Sequence, residues 1–276
     1  MALTYLASVH GGKNRSKLGL RSLAHNTAVP LDPKAIFKCK PYLYKPAPIL
    51  VKDIDFPSDD PIVARAQQYA KQHLPQQTYN HSMRVFYWAT ALLQQQFPSH
   101  AKTLSPSTLA LTALLHDIGT APAFLTTTRL SFEFHGAITA LNFLLSSSRS
   151  PFSDGEDHSD ESLVPAASQA QAEAVCEAII RHQDLGTKGT ITFLGQLIQL
   201  ATVYDNLGAR PYAVHEATRT DVNRAFPRGG WEGCFARTIR DEIAAKPWAH
   251  STHLGGPDGE LFANAVEGNL LMKAYE

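Results

Sequence analysis

The chain has 276 residues, of which 44% are hydrophobic and 18% charged, a composition typical of a globular protein and not of a disordered one. The 25 Lys and Arg residues balance the 25 Asp and Glu residues, so no net charge attracts nucleic acid or an anionic membrane. No apolar run approaches the roughly 18–20 residues of a membrane span, and three widely spaced cysteines indicate reduced intracellular thiols. We therefore expect a cytoplasmic protein without nucleic-acid or membrane partners.

Residues 1–55 are predicted to form an irregular and poorly ordered N-terminal extension. No acidic residue precedes Asp32, while basic residues are scattered among Ser, Gly and Leu, so a transit segment is the second interpretation. Three prolines between residues 41 and 48 exclude a helix there. The folded domain is then expected over 56–276.

From about residue 61 the hydrophobic residues recur with a helical period, and no run of alternating strands or internal repeat is visible. Ser107 is the predicted cap of the second helix, and Gly119 its predicted C-terminal residue. The Ser- and acid-rich segment 146–169 is predicted to be a solvated loop within the domain. The pattern predicts an all-α fold with helices over about 80–96, 107–119, 133–146, 169–181, 191–207, 217–225, 231–245 and 259–273.

Four His and Asp side chains lie on or beside the apolar stripes of these helices. His81 lies four and seven residues before apolar positions, His116 lies three and seven after them, and Asp205 lies four and eight after them. Asp117 is turned by about 100° from His116 in a helix, but the two can share an ion if the helix ends at Gly119. A buried unpaired carboxylate is costly, so Asp205 requires a partner.

Two imidazoles and two carboxylates suit a borderline divalent cation such as Zn²⁺, Fe²⁺ or Mn²⁺. For any single inward-facing histidine, a hydrogen bond within the core is the simpler interpretation. The coincidence of four such residues, including the run His-Asp-Ile-Gly, favours a buried metal site.

Longer runs around these residues resemble the fungal cyanamide hydratases, which belong to the HD-domain superfamily of metal-dependent hydrolases. The resemblance extends from about residue 51 to the C-terminus, apart from the 146–169 loop. The runs that carry it are 79–88, 115–120, 179–184, 192–202, 204–206 and 246–248.

The resemblance implies an HD-domain helical bundle that hydrates cyanamide to urea at one zinc ion, and a homodimer or higher homo-oligomer. His81, His116, Asp117 and Asp205 match the metal ligands of the family position by position. In such a site a metal-bound hydroxide adds to the nitrile carbon and the nitrile nitrogen takes a proton. The isourea that results tautomerises to urea without a redox step or an organic cofactor.

Further residues are expected around this centre. His182 faces inward and is predicted to move the proton or to orient substrate, with core packing as the alternative. Asp117 is assigned a catalytic role beside its role as a ligand. Thr120, Asp184 and His135 are predicted to contact substrate or the attacking water. His135 stands where the family usually has a tyrosine, so it either changes the substrate range or lines the wall.

Other functions stay open at this point. For a phosphohydrolase acting on a nucleotide or another small phosphate ester, Arg84 and Arg181 are the obvious basic residues, and Thr120 replaces the Glu or Lys of many HD phosphatases. A module that only binds or dimerises, or an enzyme for another small nitrile or amide, is also open. His250 and His253 have the spacing of a metal pair, but an exposed segment is the favoured interpretation.

Overall fold

The structure is a computed structural model, and it describes residues 26–149, 163–255 and 259–276. The predictions made for residues 1–25 and for the middle of the 146–169 loop lie outside this part. The helices are α1 (Pro33–Ile36), α2 (Pro61–His73), α3 (Gln76–Gln96), α4 (Pro98–Ala101), α5 (Pro106–Leu115), α6 (Pro122–Leu125), α7 (Phe132–Leu145), α8 (Gln169–Ile180), α9 (Phe193–Leu207), α10 (Glu216–Ala225), α11 (Trp231–Ala245) and α12 (Glu260–Glu267). Short 3-10 turns cover Val51–Asp53, Ile118–Thr120, His250–Leu254 and Lys273–Tyr275.

The predicted all-α fold is confirmed. In the described part of the chain the strands are β1 (Ala28–Pro30), β2 (Ser148–Arg149), β3 (Leu163–Val164) and β4 (Thr190–Thr192), which form two short antiparallel pairs, β1 with β4 and β2 with β3. Within the described ranges, no helix combines the length and the hydropathy that a membrane crossing requires.

The centre of the bundle is α3, which packs against α5 and α9. Its side chains are buried on almost every side, and Val85 and Trp88 are fully enclosed. A helix that is buried all round belongs in the middle of a core and not at its surface. Polar groups on α3 are therefore also forced into the interior, where each one needs a partner.

The helix α5 differs from its prediction at both ends. It begins at Pro106 and is capped by Ser105, whose hydroxyl accepts a hydrogen bond from the Thr108 backbone at 3.4 Å. Proline suits the first position because its missing N–H is not needed there. The helix ends at Leu115, four residues before Gly119, and the chain tightens into the turn Ile118–Thr120.

Residues 26–55 contrast with the loose extension expected for them. The strand β1 pairs with β4, and Val29, Leu31 and Phe37 are buried in the main core. The apolar residues of this segment are scattered among prolines and follow neither a helical nor a strand period. Their burial could therefore not be predicted from periodicity. The division into separate units at residue 55 stays a prediction.

The C-terminal helices form a second apolar cluster that covers one side of the bundle. Helices α11 and α12 pack against each other, with Phe235, Ile239 and Val266 buried between them and their neighbours. Trp231 of α11 stacks on His81 of α3, with ring centroids 4.2 Å apart. This cluster therefore closes the interior around the histidine of α3 from solvent.

Candidate metal centre

Three donor side chains meet at the junction of α3 and α5. His81 Nε2 lies 3.2 Å from His116 Nε2, and Asp117 Oδ2 lies 3.2 Å from His116 Nε2 and 3.6 Å from His81 Nε2. All three side chains are buried. We call His81, His116 and Asp117 the inner centre. Because the donor atoms come from two segments and face one point, the inner centre can hold a single ion.

The end of α5 explains how two adjacent residues face the same point. His116 keeps a helical backbone, with φ −61° and ψ −34°, whereas Asp117 leaves the helix at φ −102° and ψ 11°. Gly119 permits the turn that follows, because a Cβ there would lie 1.9 Å from the backbone oxygen of Phe132. The close approach of α7 to this turn thus holds the His-Asp pair in place.

The hydrogen bonds behind the two imidazoles assign their tautomers. His116 Nδ1 lies 2.8 Å from the Ala113 carbonyl oxygen, and His81 Nδ1 lies 2.7 Å from Asp205 Oδ2. Both oxygens accept, so each Nδ1 carries the hydrogen and each Nε2 presents a lone pair. Two lone pairs that face each other at 3.2 Å repel unless a cation or a proton lies between them.

The carboxylate of Asp117 gives a second sign that a cation belongs here. Among the residues that the structure describes, neither of its oxygens has a hydrogen-bond partner, although the side chain is buried. Burial alone would raise the pKa of Asp117, but the neighbouring imidazoles of His116 and His182 outweigh it and hold that pKa well below its usual range. A buried, ionised and unsatisfied carboxylate requires a cation.

His81 and His116 differ in how readily they lose the proton that would compete with a metal ion. Burial lowers the pKa of His81 to about 4, so this imidazole is neutral near pH 7. Burial would also lower the pKa of His116, but the charge of Asp117 raises it overall. A proton on His116 therefore competes with the cation, as is general for metal sites. The donor set fits a divalent cation of the borderline class.

Asp205 lies behind His81 and not among the three clustered donors. Its carboxylate accepts from His81 Nδ1 at 2.7 Å, Arg84 Nη2 at 2.9 Å and Trp88 Nε1 at 2.9 Å, and it lies 3.1 Å from Arg228 Nη1. A carboxylate on the far nitrogen of a ligand histidine fixes its tautomer and its orientation. The assignment of Asp205 as a fourth ligand stays a prediction.

The two guanidinium groups that hold Asp205 were not found from the sequence. Burial alone would raise the pKa of Asp205, but Arg84 and Arg228 outweigh it and keep the carboxylate ionised. Arg84 follows His81 by three residues on the same helix, a spacing that places it on the same face. Arg228 lies in the loop between α10 and α11, where no periodic pattern indicates which way a side chain points.

His182 reaches the inner centre from the end of α8. Its Nε2 lies 3.6 Å from Asp117 Oδ1, and its Nδ1 lies 2.7 Å from the Ile179 carbonyl oxygen. The carbonyl assigns the hydrogen to Nδ1, so the Nε2 lone pair faces the centre. The structure therefore brings His182 to the place where the sequence predicted it.

Three other predicted residues lie outside the cavity beside the inner centre. The Thr120 hydroxyl donates to the Asp117 carbonyl oxygen at 2.7 Å and so supports the turn. His135 packs edge-on against Phe124, and Asp184 accepts from Arg181 Nε at 2.9 Å. Their assignment as substrate-binding residues stays a prediction.

The cavity beside the inner centre is small. Its volume is about 10 Å³, which is the space of roughly one water molecule. Its polar lining includes His182, Gln183 and Asn206, and its apolar lining includes Phe235 and Phe262. Gln183 and the two phenylalanines were not predicted, because they reach the site from helices and loops that carry no charged motif.

A larger cavity of about 390 Å³ lies next to it and shares Leu185 and Val203 with it. Asp32 and Lys34 of the N-terminal segment line its outer part, together with Arg210. Leu185 and Val203 therefore belong to the walls of both cavities, and residues before the bundle help to form the larger one.

Comparison with known proteins gives two findings. A family model described as HD domain matches residues 78–207, a range that contains the inner centre, His182 and Asp205. The cyanamide hydratases DDI2 and DDI3 of Saccharomyces cerevisiae are similar to this chain. Each is 34% identical over 223 residues, which cover 81% of this chain and 89% of the relative.

Proposed function

The chain belongs to the cyanamide hydratase family of HD-domain proteins, and from this premise we propose that it hydrates cyanamide to urea at a Zn²⁺ ion held by the inner centre. The observation that carries the proposal is the pair of facing imidazole lone pairs beside the unsatisfied Asp117 carboxylate, at the wall of a cavity of about 10 Å³. Zn²⁺ is favoured among divalent ions because it accepts a small set of nitrogen and oxygen ligands and leaves a position open.

The lining of the cavity favours a compact and neutral substrate. Phe235 and Phe262 belong to its apolar part, while Gln183 and Asn206 add polar side chains. The cavity has room for roughly one water molecule, so the lining has to move to admit any substrate. Cyanamide, a single carbon between two nitrogens, requires a much smaller movement than a nucleotide does.

The chemistry divides between the ion and the side chains around it. A divalent cation in the inner centre supplies Lewis acidity, which makes water nucleophilic near neutral pH and polarises the nitrile. The water oxygen adds to the nitrile carbon, and the nitrile nitrogen gains a hydrogen. The isourea then tautomerises to urea, so that one water is consumed and no electrons are transferred.

We assign the proton transfer to His182. Its Nδ1–H is held by the Ile179 carbonyl, so the free Nε2 can accept the proton of the attacking water and return it to the nitrile nitrogen. Asp117 Oδ1 lies 3.6 Å from His182 Nε2, and its negative charge stabilises the His182 imidazolium that exists between the two proton transfers. This gives Asp117 a catalytic role beside its role as a ligand.

The alternative of a phosphohydrolase is disfavoured by where the arginines lie. Arg84 and Arg228 are buried against Asp205, and Arg181 is engaged by Asp184. Within the described ranges, no Lys or Arg lines the cavity at the inner centre. A phosphate ester would thus find no free cationic side chain there.

The proposal is tested by urea release from cyanamide, with p-nitrophenyl phosphate as the competing substrate and with bound metal measured on the same samples. We expect urea, no p-nitrophenol, and about one Zn²⁺ per chain in the inner centre. His116→Ala should lose both the ion of the inner centre and the activity. Urea release by a metal-free His116→Ala protein, or phosphate release without urea, would refute the proposal.

We also propose a homo-oligomer in the cytoplasm. Val266 of α12 packs in the chain's own core, whereas Leu261 and Leu270 are 68% and 87% exposed near it. These exposed leucines are the apolar side chains that an oligomer interface would cover. Light scattering after size-exclusion chromatography, on wild type and Leu270→Ser, tests this. A wild-type protein that is monomeric at all concentrations would contradict it.

A further inference from the structure

A second group of metal-binding side chains lies outside the inner centre. Asp184 follows α8, and His250 and His253 belong to the turn His250–Leu254 that follows α11. Their donor atoms all lie within 4.8 Å of one another. We call Asp184, His250 and His253 the outer cluster. The exposed segment predicted here holds for His253 but not for His250, which is half-buried, and His253 contacts the loop after α8.

A buried carboxylate stands behind His250. Glu133 of α7 is fully buried, and its Oε1 lies 2.5 Å from His250 Nδ1. The hydrogen of His250 is therefore on Nδ1, and Nε2 presents a lone pair outward. Among the described residues the other carboxylate oxygen of Glu133 has no hydrogen-bond partner. A buried anion that is only partly satisfied favours a cation on the far side of the imidazole.

Asp184 offers the second donor. Its Oδ2 accepts from Arg181 Nε at 2.9 Å, and its Oδ1 lies 4.0 Å from His250 Nε2. This distance is longer than a hydrogen bond, so the two atoms are not bonded to each other directly. They are close enough for both to become ligands of one ion.

His253 offers the third donor. Its ring stacks on that of His250 with centroids 4.0 Å apart, and its side chain is exposed. Its Nε2 lies 3.0 Å from the Gln183 carbonyl oxygen, and its Nδ1 contacts the His250 carbonyl oxygen. A neutral imidazole has one N–H, so one of these two contacts lacks a hydrogen. To bind an ion, that nitrogen has to turn away from its carbonyl oxygen, which the exposure of the ring permits.

We propose that the outer cluster is a second metal site, for a borderline divalent transition-metal cation such as Zn²⁺. Two imidazoles and one carboxylate are the donor set that such ions prefer, and the exposure of His253 leaves positions for water. Glu133 orients His250 in the way that a carboxylate orients a metal-binding histidine. Gln183 and Leu185, on either side of Asp184, line the inner cavity, so the second ion binds to the segment that forms one of its walls.

The test is zinc binding by the full chain, measured by calorimetric titration with Zn²⁺ and by elemental analysis after equilibrium dialysis. Wild type should bind one more Zn²⁺ than His253→Ala does. Glu133→Gln should still bind this second ion, but its zinc affinity should fall by about 10–100-fold, because an amide does not orient His250 as a carboxylate does. His73→Ala, a partly buried histidine that stacks on Tyr69, is the matched control and should bind as wild type does.

A variant of the inner centre tests whether the second metal site and the proposed hydratase function are independent. His116→Ala should lose the tighter zinc ion and keep the outer one. Circular dichroism of each variant checks that it folds, and His253, being exposed, is the position least able to disturb the fold. Equal zinc stoichiometry and affinity in wild type and His253→Ala would overturn the second site and leave the hydratase proposal intact.

Discussion

The inner centre and the outer cluster are built from the same residue types, but their surroundings differ. In the inner centre both histidines are held from behind, one by a backbone carbonyl and one by Asp205, and every donor is buried. In the outer cluster Glu133 holds His250, while His253 is exposed. We therefore expect that burial, and a hydrogen-bond partner behind each ligand, decide more than the donor set whether an ion is resident or exchangeable.

Removal of one ligand histidine in each cluster should give the largest contrast. We expect His116→Ala to lower the rate of urea formation by at least about 1000-fold, well beyond the 10–100-fold typical of an outer partner. His253→Ala should keep cyanamide turnover in zinc-free buffer. Steady-state urea assays measure both. Similar losses in the two variants would mean that the clusters do not have separate roles.

The next prediction concerns Asp205, the carboxylate behind His81. Asp205→Asn leaves Arg84 buried without its anion and removes one of the two carboxylates beside Arg228, which keeps Glu276, so the free energy of unfolding should fall by about 3–5 kcal/mol. Denaturant unfolding measures it, and Asp59→Asn at an exposed position is the control, expected within about 0.5 kcal/mol of wild type. A loss below about 1 kcal/mol would show that the two arginines find other partners.

The proton-transfer role that we propose for His182 concerns the inner centre and not the outer cluster. His182→Gln should lower kcat for cyanamide by about 100-fold, because general acid-base groups contribute on the order of 10²–10⁴-fold. The metal content should not change. A variant that instead lost its zinc would identify His182 as a ligand, and one with wild-type kcat would exclude it from proton transfer.

The turn Ile118–Thr120, which follows His116 and Asp117, depends on close backbone packing. Gly119→Ala should reduce the free energy of unfolding by about 1–3 kcal/mol or more, because the new Cβ would lie 1.9 Å from the Phe132 carbonyl oxygen. Gly233→Ala is the matched control, since a Cβ there meets nothing within 4 Å. Thermal unfolding of both variants checks the difference, and equal melting temperatures would contradict it.

The smallest expected effect is a pH dependence from the outer cluster. The hydrogen bond to Glu133 raises the pKa of His250. A raised pKa in the folded state stabilises the protein fully below the unfolded value of about 6.5, and the gain is lost as pH rises through the raised value. Without metal, the unfolding free energy of wild type relative to His250→Gln should therefore fall by less than about 1 kcal/mol from pH 6 to pH 8. A rise of this free-energy difference from pH 6 to pH 8 would contradict a raised pKa of His250.

The carboxylates of Asp117 and Asp205 should not contribute to that pH dependence. Both have pKa values well below their usual range, so the stability they provide is present above about pH 4 and is lost only as pH falls through the lowered values.

The helices and the candidate metal ligands could be predicted from the sequence. A helix is a local structure with a fixed period, so the apolar stripes of α3, α8 and α9 were visible in single segments, and their bounds agreed to within a few residues. His81 and His116 became candidates in the same way, because polar side chains on an apolar stripe need a partner inside the core. Asp117 lies beside the stripe and became a candidate through its neighbour His116, and its role as a ligand stays a prediction.

The tertiary structure alone decided which atoms meet. Asp205 and His81 are 124 positions apart, and Glu133 and His250 are 117 apart, so no local period indicates that one carboxylate lies behind each histidine. The packing of α9 against α3, and of the turn after α11 against α7, brings them together. Periodicity reports which face of a helix is buried, but the partner on that face depends on contacts between distant segments, which only the folded chain specifies.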